Sequence, residues 1–183
     1  MTASAADLLL GRVMAFTANP FTQEDKAACL REDEAVLIAD GRIIARGLAA
    51  DLRAKAPHAR VHDYGARLIC AGFIDAHVHF PQTAIIASWG KRLIDWLNTY
   101  TFPEEMRLRE PDYARTIAAR YFDLARAHGT TAMCSFSTVH PSSVEAFFQE
   151  AQARGLRAFT GKTCMDRNCP EGLRDSAQTA YDE

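Results

Sequence analysis

The run Gly72-Phe73-Ile74-Asp75-Ala76-His77-Val78-His79-Phe80-Pro81-Gln82 constrains this chain more than any other. It reads as a β-strand that ends in two imidazoles separated by one residue. Side chains alternate faces along a strand, so Asp75, His77 and His79 are expected to share one face, and Ile74, Ala76, Val78 and Phe80 the other. The second face is apolar enough to pack beneath a layer of helices. The first delivers two ring nitrogens to one place near the strand's end, which suits half of a Zn²⁺ or Fe²⁺ site. A pair of hydrogen-bonded histidines is the plainer reading of H-x-H alone. The preceding Leu68-Ile69-Cys70-Ala71-Gly72-Phe73-Ile74 is nearly continuous apolar sequence, as in a sheet buried on both faces. Two histidines and an aspartate unpaired at the end of such a strand would be costly, so a ligand or partner is expected there.

The sequence on either side divides into two patterns. Residues 1–68 read as a β-rich domain. Leu8 to Thr17 is strand-like, and Ala35–Ala39 and Arg42–Ala45 flank Asp40-Gly41, the dipeptide of a tight type I′ hairpin. Asn19 to Asp33 is polar and reads as a surface excursion, and Asp51–Ala56 as a short helical turn stopped by Pro57. Residues 69–183 alternate strand and helix. Glu110-Pro111-Asp112 opens a helix in which Tyr113, Ile117, Tyr121 and Leu124 recur at helical spacing, with Gly129 as its stop. Thr130–Phe136 reads as a second strand, Ser142-Ser143-Val144-Glu145 as a capping box opening a second helix closed near Gly155, and Leu156–Lys162 as a third strand. Strand–helix–strand–helix–strand is the unit of a parallel α/β sheet or barrel. Three such strands fall well short of a complete eightfold barrel, which takes roughly 200 residues or more.

A net charge of −2 leaves no electrostatic footprint for nucleic acid or an anionic membrane. No apolar run approaches the roughly 20 residues of a membrane helix, and the N-terminal residues lack the basic start of a signal peptide, so a cytoplasmic location is expected. The five cysteines are scattered without a C-x-x-C and are expected to be reduced, buried thiols. No G-x-G-x-x-G, phosphate-cradling G-x-x-x-x-G-K or G-x-S-x-G occurs. The H-x-E and P-C-x-x-C of cytidine-deaminase-type zinc sites are also missing.

At this point the residues resemble the zinc-dependent amidohydrolase superfamily, and within it the guanine deaminases. Gly72-Phe73-Ile74-Asp75-x-His77-x-His79 resembles the superfamily's motif on the first barrel strand. His79-Phe80-Pro81-Gln82 is similar to the H-x-P-Q segment of guanine deaminases. Trp96-Leu97-Asn98-Thr99-Tyr100-Thr101-Phe102-Pro103-Glu104-Glu105 is similar to their W-L-N-x-Y-T-F-P-x-E stretch. Lys162 to Asp175 is similar to their K-x-x-M-D-x-N-x-P-x-x-L-x-D stretch. The resemblance covers nearly the whole chain but only the N-terminal part of a family member. Ala71 stands where many superfamily members have proline.

The resemblance implies an α/β fold: the first three βα units of a (β/α)8 amidohydrolase barrel, preceded by part of a small β-sandwich. It implies hydrolytic deamination of guanine to xanthine and ammonia by metal-activated water, with Zn²⁺ or Fe²⁺ held by His77 and His79. Gln82 would read the purine edge, since a carboxamide offers both a donor and an acceptor. Phe80 and Pro81 would line the same pocket or simply pack the loop, and Trp96 would cover the base or belong to the core. Asp75 either orients a metal ligand from behind or makes an internal hydrogen bond. Lys162, Asp166 and Asn168 are rim residues or a hydrogen-bonded loop; Arg107, Arg109, Arg115, Arg120 and Arg126 read as a solvated helical face. Cys164 and Cys169 lack metal-ligand spacing.

The catalytic carboxylate and remaining ligands of the family are not among these residues, since no H-x-x-E occurs and His58, His62, His128 and His140 lie outside those motifs. They are expected beyond Glu183, so the 183-residue chain is expected to be inactive alone, and the full-length form to be a homodimer. Another aminohydrolase or chlorohydrolase of the superfamily, or a non-catalytic barrel fragment acting through association, are the alternative readings.

Overall fold

A computed structural model describes residues 6–16, 18–19, 21–22 and 28–183. The N-terminal residues 1–5, Thr17, and residues 20 and 23–27 of the polar stretch lie outside it. The chain forms two compact units, Met1–Ala71 and Gly72–Glu183.

The first unit is a mostly antiparallel sheet of β1 (Asp7–Phe16), β2 (Ala28–Arg31), β3 (Glu34–Ala39), β4 (Arg42–Leu48) and β5 (Arg60–Ile69), with α1 (Ala49–Lys55) between the last two. β1 organises it. Its first half pairs antiparallel with β3 and its second half with β2, while β5 runs parallel along its other edge. The β3–β4 hairpin turns on Asp40 and Gly41, whose φ values of 50° and 70° are the two positive angles a type I′ turn demands. Leu8, Ala35, Leu37 and Leu52 form the buried core. Two expectations are corrected here. Part of the polar stretch, Ala28–Arg31, is a strand, because β1 extends past β3 and leaves backbone groups that β2 satisfies. And the apolar run from Leu68 is not one strand: Leu68 and Ile69 pair with β1, and a new strand begins at Phe73.

The second unit holds a three-stranded parallel sheet, β6 (Phe73–His79), β7 (Thr130–Phe136) and β8 (Arg157–Phe159), in the order β6-β7-β8. The β6–β7 connection is long: a 3₁₀ turn at Phe80–Ile85, α2 (Leu93–Trp96), a π-helical turn at Leu97–Thr101, α3 (Phe102–Arg107) and α4 (Pro111–Ala127). α5 (Pro141–Arg154) joins β7 to β8, and α6 (Ala177–Asp182) follows. Pro111 starts α4, and its buried residues Ala114, Ile117, Ala118, Tyr121 and Phe122 fall at i, i+3, i+4, i+7 and i+8, one continuous stripe. That stripe packs with Phe80, Met133 and Phe147 in a single core.

The expected capping box at the second helix is also corrected. Pro141 occupies the first turn with His140 before it, and no side chain caps that end. The Ser143 hydroxyl turns inward instead, bonding Ser137 Oγ at 2.5 Å and Thr138 Oγ1 at 2.8 Å and reaching the His140 carbonyl. Gly155 ends α5 in the left-handed region, as its position suggests. The thiols Cys70, Cys134 and Cys164 are exposed and Cys169 is half-buried, all unbridged. Cys134 is exposed because its neighbours Met133 and Ser135 take the helix-facing side of β7.

Candidate functional site

The site is built on a defect in strand β6. Asp75 pairs with Met133 but Val78 pairs with Ser135, so three steps on β6 oppose two on β7, and a bulge lies between them. The bulge reverses the alternation. Asp75 and Val78 stand opposite the buried, helix-facing Met133 and Ser135, whereas Ile74 is 76% exposed on the other side. Strict alternation, which places Asp75 with the histidines and Ile74 with Val78, is thereby corrected. The Asp75 carboxylate accepts the backbone N–H of His77 at 3.2 Å, within the bulge.

Past the bulge, His77 and His79 share a face. Their ring centroids lie 5.4 Å apart, and both rings contact Phe136 of β7, at 5.2 Å edge-on and 4.8 Å stacked. Neither imidazole has a hydrogen-bond partner among the described residues. Burial, with the neighbouring His77 second, holds the His79 pKa below its ordinary value and keeps the ring neutral and available as a ligand. Two neighbouring imidazoles, 5.4 Å apart, are of a type that suits a borderline metal such as Zn²⁺. Among the described residues no third His, Cys, Asp or Glu joins them.

After His79 the chain makes its 3₁₀ turn. The Phe80 N–H donates to Ser135 Oγ at 3.0 Å, and Thr83 Oγ1 donates to the Phe80 carbonyl at 2.6 Å. Phe80 is fully buried, its ring 4.9 Å from that of Phe147, and Pro81 is buried beside it. Gln82 emerges from the turn, and its Nε2 donates to Glu105 Oε1 on α3 at 3.3 Å. Trp96 donates through Nε1 to Ser88 Oγ at 2.9 Å. His79, Gln82, Ser88, Trp96, Tyr121 and Asp75 share one cavity of about 580 Å³. Burial, and then the Asp75 charge, pushes the Tyr121 hydroxyl far above its ordinary pKa, so it is a neutral phenol there.

The structure brings His77, His79, Gln82 and Trp96 to the same end of β6, with Phe80 and Pro81 beneath them. It does not bring the third motif into that cavity. Lys162 is held by Asp175 at 2.5 Å and Glu183 at 2.8 Å, Asp166 pairs loosely with the exposed Arg167 at 3.9 Å, and Asn168 takes a positive φ of 56° in the loop. Arg107 is not merely solvated, since it pairs with Glu104 at 2.9 Å and lies over the Tyr113 ring. Two residues of the site escape a reading of types and spacings. Phe136 carries no local signal, because only strand register sets it against His79. Glu105 closes the T-F-P-x-E stretch but gives no hint of its partner.

The Amidohydrolase family profile matches residues 68–183. The guanine deaminase of Escherichia coli K12 is 39% identical over 161 residues, covering 86% of this chain and 37% of that protein. A solved E. coli guanine deaminase superposes with a TM-score of 0.90 at 35% identity, over 96% of this chain and 41% of that one. A solved guanine deaminase from C. acetobutylicum, with bound guanine in its active site, gives a TM-score of 0.79 at 29% identity, over 97% of this chain and 41% of that one. The chain thus spans 37% to 41% of the length of these relatives. Its motifs, its mixed α/β architecture and the profile match over most of its length make it a member of the amidohydrolase family.

Proposed function

We propose that this chain forms the metal- and purine-binding side of a guanine deaminase. In this reading residues 69–183 are the first three βα units of a (β/α)8 barrel, and residues 1–68 are part of a small β-sandwich. The observation that carries it is the convergence of His77, His79 and Gln82 at the C-terminal end of a parallel strand, where barrels of this kind do their chemistry. The sheet face bearing Phe136 and Phe159 is open to solvent. Parallel sheets are ordinarily covered on both faces, which supports barrel closure over that side.

His77 and His79 would hold Zn²⁺ or Fe²⁺ as two of its ligands. When bound, such a metal supplies Lewis acidity for activating a water molecule. The chain's own residues do the rest of their share by position. Gln82 offers its carboxamide to the edge of guanine, which carries both donors and acceptors. Trp96, pinned through its indole nitrogen to Ser88, covers the base from the side. Phe80 and Pro81 act from beneath, fixing the turn that aims Gln82. A cytoplasmic location and a homodimeric full-length form belong to the same proposal and rest on family resemblance.

The test joins residues 1–183 to the remaining portion of the E. coli relative and measures ammonia and xanthine from guanine. Turnover of guanine in preference to adenine, cytosine and an aminotriazine is the expected result, lost with His77→Ala. A folded, zinc-loaded hybrid that prefers another aminated ring overturns the guanine assignment.

A further inference from the structure

Two adjacent glutamates on α3 are both buried, and only one is accounted for by structure. Glu104 accepts from Arg107 at 2.9 Å and from the Tyr113 hydroxyl at 2.5 Å, which ties α3 to the start of α4. Glu105 is 6% exposed, and burial raises its pKa while the Gln82 hydrogen bond opposes the rise. Its one side-chain partner among the described residues is the Gln82 amide, 3.3 Å away. Burying a carboxylate for so little is unfavourable unless it has a task.

The chemistry of the pair defines that task. An ionised carboxylate only accepts, so the amide nitrogen of Gln82 must face Glu105. An isolated glutamine can present its amide either way round. Glu105 removes that freedom. The carbonyl oxygen and the second N–H of Gln82 are left as one edge of fixed polarity, acceptor and donor in a set order, and Gln82 borders the cavity that His79 and Trp96 also line. We propose that Glu105 is a positioning residue that locks the amide orientation of Gln82 and so sets which purine edge the site accepts. This rests on the reading of Gln82 as a purine contact. Preorganising the amide before binding removes part of the ordering penalty a ligand would otherwise meet.

The experiment uses the 183-residue chain, labelled with ¹⁵N, and follows the Gln82 side-chain amide protons in the parent, Glu105→Gln, Glu105→Asp and Glu105→Ala. The parent is expected to show a widely split, slowly exchanging amide pair. Glu105→Ala should collapse it to the signal of a solvent-exposed glutamine, and Glu105→Asp should restore it in part. Glu105→Gln, isosteric and able to donate or accept, should give two amide environments. Titrated with guanine in the presence of Zn²⁺, the parent should bind about tenfold more tightly than Glu105→Gln, the loss expected for one misaligned hydrogen bond. A Gln82 signal indifferent to all three substitutions in folded protein overturns the proposal. So does equal guanine affinity for the parent and Glu105→Gln. A locked amide in a chain that guanine leaves unperturbed sinks the purine reading of Gln82, and the specificity role with it, while the orientation lock stands measured.

Discussion

The carboxylate of Asp75 accepts the backbone N–H of His77 at 3.2 Å, across the two residues where β6 slips against β7. A bulge strips a backbone donor of its ladder partner, and here a side chain two residues back takes that donor over. The bond therefore lives on the backbone of the histidine pair rather than on its rings. Asp75→Ala is expected to lower stability by about 1–2 kcal/mol in urea unfolding. It should also weaken zinc binding by the chain in calorimetry. Asp75→Asn keeps a carbonyl acceptor and should recover most of both. Equal zinc affinity in Asp75→Ala and the parent would show that the bulge holds the histidines without its side chain.

A second prediction concerns the start of α5. Ser143 is fully buried, and its hydroxyl is shared among Ser137, Thr138 and the His140 carbonyl. Ser143→Ala leaves two buried hydroxyls short of a partner, which costs about 1–3 kcal/mol. Ser142→Ala removes one hydroxyl shared between the Leu108 and Arg109 carbonyls, from a more exposed position, and should cost less. The ranking of the two urea midpoints checks this. It also separates the inward network from the capping box that the Ser142-Ser143-Val144-Glu145 pattern suggests.

A pH effect follows from His140. Burial lowers its pKa below the ordinary 6.5, aided by the positive charges of Arg109 and Lys162 and opposed by Glu183. Its Nε2 is buried without a hydrogen-bond partner among the described residues. The folded state thus binds the proton less readily than the unfolded chain. In the interval below 6.5 the unfolded chain carries more protons, so stability rises with pH there. The contribution is complete above 6.5 and is lost as pH falls through the folded value. His140→Gln should flatten the dependence of the urea midpoint on pH just below 6.5. An unchanged slope in His140→Gln would assign the acid sensitivity to another group.

Local chemistry was legible where one residue type dictates one geometry. Asp40-Gly41 announced its hairpin, Pro111 its helix start, and the stripe through Ile117 and Tyr121 its buried face. The pairing of His77 with His79 was equally plain, because a spacing of two survives any bulge placed before it. What stayed hidden depends on register. The side of Asp75 hinges on a bulge that no composition marks. The strand at Ala28–Arg31 hinges on where β3 stops along β1. Phe80, which its motif leaves between pocket lining and loop packing, is fully buried against Phe147 in the core. The tie between Gln82 and Glu105 joins two elements through a loop whose path the sequence does not disclose.

The junction that opens β6 offers the most local test. Phe73 N–H donates to the Gly129 carbonyl at 2.8 Å, setting β6 beside β7 from its first residue. Such an approach requires a residue without a side chain at position 72, since a Cβ there would overlap the Thr131 side chain, with Thr131 Cβ itself at 2.7 Å. Gly72→Ala must push β7 away or displace the start of β6, at a cost of about 1–3 kcal/mol. Because the obstruction is the facing side chain, Thr131→Gly should relieve the Gly72→Ala defect in a double mutant, whereas Thr131→Ala, which removes the two nearest atoms but keeps the Cβ, should relieve it only in part. Urea unfolding of the parent, the single mutants and the two double mutants gives the coupling directly. Strictly additive losses in Gly72→Ala/Thr131→Gly would mean that Gly72 is needed for its backbone freedom rather than for the closeness of the two strands.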